Sequence, residues 1–156
     1  SMRSALERHQ SWHPWGALAG FGLLLHFVWE ILQVPLYTGM SGAPHWQAVL
    51  QCGRATLGDV VIVLLSYGGV WLAAHTRLWL LGRWGWRLWL FLAIGLVITI
   101  GFEWLSVHRW HRWAYAPEMP LLFGIGVLPL LQWVVLPPLN LWLARRHLRG
   151  IPERPH

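Results

Sequence analysis

Two carboxylic acids, Glu30 and Glu103, interrupt long apolar runs in this chain of 156 residues. In Leu25-His26-Phe27-Val28-Trp29-Glu30-Ile31-Leu32-Gln33 the polar residues His26, Glu30 and Gln33, with Gly22 ahead of them, stand four, four and three apart. That spacing puts them on one helical face, and every other position of the run is apolar or aromatic. Gly95, Thr99, Glu103, Ser106 and Trp110 repeat the pattern at four, four, three and four. Two carboxyls at one depth in a low dielectric do not both ionise, and a carboxyl kept neutral can give up a proton at pH 7. An imidazole one turn away can tune or accept that proton. Indole faces can stabilise a developing carbocation through cation–π attraction. The chemistry this suits is acid-catalysed isomerisation or cyclisation of an isoprenoid or sterol-like double bond. Glu30, His26 and Glu103 are the candidate catalytic residues, and Trp29, Gln33, Thr99, Trp104, Gln132 and Trp133 the candidate substrate-binding ones.

The surroundings these groups need are set by composition. Hydrophobic residues make up 56% of the chain and charged residues 12%, with mean hydropathy +0.44. Soluble domains carry about 25% charged residues, so a soluble globule is excluded, and so is a polar, disordered chain. Cys52 stands alone, which excludes an internal disulfide and a cysteine-based zinc motif. Four segments can cross about 30 Å of hydrocarbon, at about 16–37, 59–76, 88–107 and 121–144. The expectation is an all-α, integral membrane four-helix bundle forming a single transmembrane domain over 1–156. The first segment is long, contains a glutamate and lacks a small-residue cleavage site, so a retained helix is expected rather than a signal peptide. Ser1-Met2 reads as a remnant of expression.

All 12 cationic side chains are arginines. With both termini cytoplasmic, Arg3, Arg8, Arg77, Arg83, Arg87, Arg145, Arg146, Arg149 and Arg154 lie on that side, and only Arg54, Arg109 and Arg112 lie opposite. Nine against three predicts termini inside, in a multi-pass protein of the cell inner membrane. Trp12, Trp15, Trp79, Trp84, Trp86, Trp110, Trp113 and Trp142 suit aromatic belts at the two interfaces. The net charge of +6 is explained by this orientation rather than by nucleic acid. The expected partners are membrane lipids and a hydrophobic small molecule; self-association is left open.

At 1.5 Å per residue Glu30 lies about 20 Å across the membrane and Glu103 about 22 Å, so the two carboxyls are expected to meet across an outward-opening cavity between the first and third helices. His26, about 14 Å in, falls near the level of Gln132. Asp59 reads as the cap that opens the second helix at the outer surface. His108 and His111 read as solvated interfacial residues, and Gly16–Gly20 as a close helix contact. Blander readings compete, since buried polar groups in membrane bundles also serve as interhelical hydrogen-bond partners.

His26-x-x-x-Glu30 in the first helix of a four-helix bundle, with a later intramembrane acid and a Trp in the last helix, resembles the emopamil-binding (EXPERA) sterol-isomerase family. Trp29-Glu30 followed by Tyr37 looks like the helix that carries the catalytic acid in transmembrane terpene cyclases. The resemblance implies Glu30 as acid, His26 as its partner and Trp133 as a cation-stabilising wall, with no cofactor. A competing class has His26, Glu30 and Glu103 as ligands of a divalent ion, or as a proton relay in a transport or assembly protein. Haem is disfavoured, because His26 lies mid-helix while His75, His108 and His111 lie at helix ends.

Overall fold

The apolar segments fold as four long helices. The computed structural model describes residues 2–150, with side chains from His13 onward. Arg3, Arg8 and Trp12 as side chains, the Ser1 start and Arg154 lie outside the described residues. Helix α1 spans Met2–Gln33, α2 His45–Ala74, α3 Trp86–Trp104 and α4 Val127–Arg149. Each contains a stretch long and apolar enough to cross a membrane, at His13–Leu36, His45–Ala74, Trp86–Arg109 and Val127–Arg149.

The boundaries follow local chemistry. Pro35 sits in a short 3-10 turn, Val34–Leu36, that ends α1. Pro44 immediately precedes α2, which starts well before residue 59. Charge-free windows detect hydrocarbon depth, whereas this helix carries Arg54 and Asp59 within it. Asp59 is therefore not a cap but a mid-helix residue. The segment 121–126 is not helical: Leu121–Leu122 (β1) and Ile125–Gly126 (β2) form a hairpin. Its tip holds Phe123 and Gly124 at φ 52° and 78°, the left-handed geometry that glycine accepts readily. Beyond Trp104, α3 loosens into a π turn, Leu105–Arg109.

Around the bundle, α1 packs on α2 and α4, and α3 packs on the same two helices, so α1 and α3 stand across the diagonal. Gly22 permits the tight α1–α2–α4 contact: a Cβ there would meet Asn140 Nδ2 at 3.1 Å and Val60 Cγ2 at 3.4 Å. One half of the interior is apolar, built on Leu18, Val63, Tyr67, Val70, Phe91, Leu141 and Ala144. Trp79 belongs to this core at 0% exposure, not to an interfacial belt. The α2–α3 loop folds back under the bundle, stacking its ring on Tyr67 with centroids 5.0 Å apart while its indole N–H donates to Tyr67 O at 3.2 Å. Lipid-facing positions are occupied as the helical period requires, with Leu24 68%, Ile31 47% and Val97 70% exposed.

The two connections at the other end meet over the bundle. Tyr37 bridges Tyr115, Thr38 N donates to Ala114 O at 2.8 Å, and Ala116 N donates to Leu36 O at 2.8 Å. These bonds satisfy backbone groups in a loop and bring two tyrosines over the interior.

Candidate functional site

Polar side chains of two helices converge on the amide of a third. Gln132 of α4 is buried, and its Nε2 lies 2.8 Å from His26 Nδ1, 2.9 Å from Asp59 Oδ2 and 3.3 Å from Glu30 Oε1. The levels expected for His26 and Gln132 from helical rise thus coincide. His26 Nδ1 also lies 3.4 Å from Asp59 Oδ2. The Glu30 and Asp59 carboxyls are thus neighbours on the same amide nitrogen. Gln33 accepts from Trp29 Nε1 at 3.2 Å, which fixes the indole along the same helix face.

Proton arithmetic constrains this cluster. A primary amide nitrogen carries two hydrogens, so it cannot donate to all three neighbours at once. When both go to the carboxyls, His26 Nδ1 is left to give its own proton to Asp59. When one goes to His26 Nδ1, the ring proton sits on Nε2, which is buried with no partner among the described residues. Glu30 and Asp59 thus compete for the hydrogens of one amide donor. The arrangement gathers two carboxyls and an imidazole around one amide inside an apolar bundle.

Trp133 closes the cluster on the side of the apolar core. It is 1% exposed, and its ring centroid lies 5.5 Å from that of His26. Gly95 is what admits it, since a Cβ there would stand 2.6 Å from Trp133 Cε3. Thr99, one turn further along α3, is buried with its hydroxyl unpartnered among the described residues.

Glu103 occupies a neighbouring but separate position. Its partners come from the loop ahead of the hairpin: Tyr115 OH donates to Oε2 at 2.7 Å and Trp113 Nε1 at 3.4 Å. The carboxyl that pairs with Glu30 is thus Asp59, not Glu103, because α1 and α3 are diagonal whereas α1 and α2 are in contact. Glu30 and Glu103 instead share an influence on Tyr37. Burial first, then these carboxyls, raises the Tyr37 phenol far above the ordinary tyrosine value. Burial and its hydrogen bond to Glu103 do the same to Tyr115. Both phenols stay protonated, and that of Tyr115 donates to Glu103.

Trp104, one of the expected substrate-binding residues, faces outward from the bundle. It is 48% exposed and rests on His108, centroids 5.7 Å apart. One residue after an inward Glu103 a helix has turned by about 100°, which carries the indole outward. His108 reaches Gly124 O at 3.2 Å and so holds the hairpin. Tyr115 and Trp113, which hold Glu103, and the role of Asp59 were not legible from spacing; two polar loop ends flanking a buried acid are the only hint the sequence offers. His26, Glu30 and Glu103 do not gather as a ligand set, and among the described residues no group of three or more His, Cys, Asp or Glu is arranged to hold a metal ion. Comparison with protein-family models, curated proteins and solved structures finds no match to this chain. What stands is a buried, interacting acidic and basic cluster within a bundle of four apolar helices.

Proposed function

We propose that the protein is a membrane-embedded acid catalyst that protonates a carbon–carbon double bond of an isoprenoid or sterol-like lipid, as an isomerase or a cyclase. The observation carrying this reading is that the Gln132 amide lies 3.3 Å from Glu30 Oε1 and 2.9 Å from Asp59 Oδ2, gathering two carboxyls within an apolar bundle. In the proposed step the acid O–H bond breaks and the double bond's π electrons form the new C–H bond. The resulting carbocation lies against the Trp133 face and is held by cation–π attraction. Loss of a proton from an adjacent carbon to the carboxylate shifts the double bond and restores the acid, so the cycle needs no cofactor. Glu30 acts as donor, Asp59 as the group sharing its proton, and His26 as the residue that tunes the pair. Gln33 and Trp29 shape the same face, and Thr99 offers a polar contact. The resemblance of His26-x-x-x-Glu30 to the emopamil-binding family points the same way.

A through-membrane proton relay is less well supported. Past His26 and Trp133 the interior becomes the apolar cluster of Leu18, Val63, Val70 and Phe91, and the polar groups among it, Ser66, Tyr67 and Asn140, donate to backbone oxygens rather than to one another. The orientation we propose has both termini cytoplasmic in a bacterial-type inner membrane. It puts Arg77, Arg83, Arg87, Arg145, Arg146 and Arg149 on that side and the acid cluster in the outer half. The test is conversion of a panel of isoprenoid and sterol olefins by purified protein in deuterated water. Product with one deuterium at the protonated carbon, lost in Glu30→Gln, is the expected result; absence of conversion across the panel by the wild type counts against the reading.

A further inference from the structure

At the end of the bundle away from the acid cluster, arginines collect around a four-residue stretch of the α2–α3 loop. Arg149 Nη2 donates to Leu81 O at 3.1 Å. The Arg145 guanidinium carbon lies 5.3 Å from the Trp84 ring centroid. Arg87 Nη1 donates to Arg83 O at 2.9 Å. Guanidinium groups from α3 and from the last turns of α4 are thus fixed against residues 81–84, with Arg83 exposed on the loop itself.

Among the side chains described, from His13 to Gly150, no carboxylate pairs with them. Glu30, Asp59 and Glu103 belong to the opposite half, and Glu118 lies in the loop before the hairpin. The Nε atoms of Arg87 and Arg145 are buried with no hydrogen-bond partner among the described residues. The first turn of α3 adds positive field: it has no acidic residue, and its N-cap, Gly85, supplies no capping side chain. Like charges held together this way repel, and planar guanidinium forks fit phosphate oxygens in paired hydrogen bonds. The flank of the cluster is apolar and aromatic, with Trp86 54%, Trp89 71% and Trp142 48% exposed where interfacial indoles and lipid chains meet.

We infer that Arg83, Arg87, Arg145 and Arg149 form a phosphate-binding site at the membrane surface, occupied by the headgroup phosphate of an anionic lipid whose chains run along the α3–α4 face. The inference does not depend on the acid chemistry. Basic pockets between membrane helices are suited to such headgroups, each arginine adding about 1 kcal/mol of attraction to an anionic surface.

Native mass spectrometry of the full chain released from mixed phosphatidylglycerol and phosphatidylcholine micelles tests it. The wild type should retain phosphatidylglycerol preferentially, and Arg87→Gln/Arg145→Gln should cut the preference by about 30-fold, two charges' worth of attraction. The exposed pair Arg83→Gln/Arg149→Gln should lower it in the same direction and serves if the first variant fails to fold. Arg54→Gln/Arg112→Gln, at the other end, should leave it intact. Equal retention of the two lipids by the wild type, or an unchanged preference in both folded loop variants, overturns the site. Displacement of the lipid by millimolar inorganic phosphate overturns its assignment to lipid and reassigns the pocket to a soluble anion.

Discussion

The Gln132 amide of α4 meets the Asp59 carboxyl of α2 at 2.9 Å, and through the same nitrogen it reaches two residues of α1. One side chain thus bridges three helices at the level where the bundle would otherwise hold uncompensated polar groups. Gln132→Leu removes that bridge at similar volume and leaves the carboxyl pair and His26 without their shared donor. We expect a loss of about 1–2 kcal/mol in bilayer unfolding, within the range for interhelical hydrogen bonds. Unfolding in mixed micelles of wild type and variant measures it.

The paired carboxyls make the next expectation two-sided. Glu30→Gln and Asp59→Asn each keep an amide that can hydrogen-bond in place, so both variants should fold. Each removes one of the two acids that hold the proton, so turnover of any identified olefin should fall by at least about 100-fold, the lower range of general acid catalysis. Glu103→Gln should lose less, because its carboxyl is held by Tyr115 rather than by the pair. A Glu103 variant that proves as damaging as Glu30→Gln would return that residue to the catalytic set. His26→Ala should fall between them.

How much of this could be read beforehand depended on whether one helix carried the information. The stripe Gly22, His26, Glu30 and Gln33 lies on a single helix, so its period alone turned it inward, and rise per residue alone matched His26 to Gln132. Asp59 escaped because a charge near an apolar run looks like a boundary. Helix α2 in fact begins at His45 and carries Asp59 into the bundle. Tyr115 and Trp113 escaped for a different reason: they reach Glu103 only because α3 ends in a π turn and the chain reverses. No spacing rule encodes a reversal of that kind. The pairing of Glu30 with Glu103 failed on adjacency, since equal depth does not tell which helices are neighbours.

Close packing at Gly95 gives a test independent of chemistry. A Cβ at that position would stand 2.6 and 2.7 Å from two ring carbons of Trp133 and 3.4 Å from Ser66 Oγ. Trp133 is buried and cannot swing away, so Gly95→Ala should destabilise by about 1–3 kcal/mol, the cost of overpacking. Gly101, on the same helix, has nothing within 4 Å of such a Cβ. Gly101→Ala should be neutral or stabilising by about 0.5–1 kcal/mol, since alanine is the better helix former. Equal stability of the two variants would mean that the Trp133 contact does not define the α3–α4 spacing.

Alkaline titration of the two loop tyrosines supplies the last expectation. Burial raises the Tyr37 phenol, assisted by the nearby carboxyls of Glu103 and Glu30, and burial with the Glu103 hydrogen bond raises that of Tyr115. A phenol whose folded value is raised binds its proton more tightly folded than unfolded. Its contribution to stability is therefore whole below the ordinary tyrosine value of about 10 and is lost as pH climbs from there toward the folded value. Ultraviolet difference absorbance at the phenolate band should show both tyrosines silent through about pH 10, followed by a rise that coincides with loss of structure. In Tyr115→Phe the part of that alkaline loss due to this residue should vanish, while Glu103 loses its shortest hydrogen bond. That variant should accordingly be less stable at pH 7 by about 1–3 kcal/mol, the cost of leaving a buried acceptor unmade, yet less sensitive to base. Early titration of Tyr37 or Tyr115 in the folded protein, near pH 10 and without structural change, would show the two connections open to water and would remove the roof from the site.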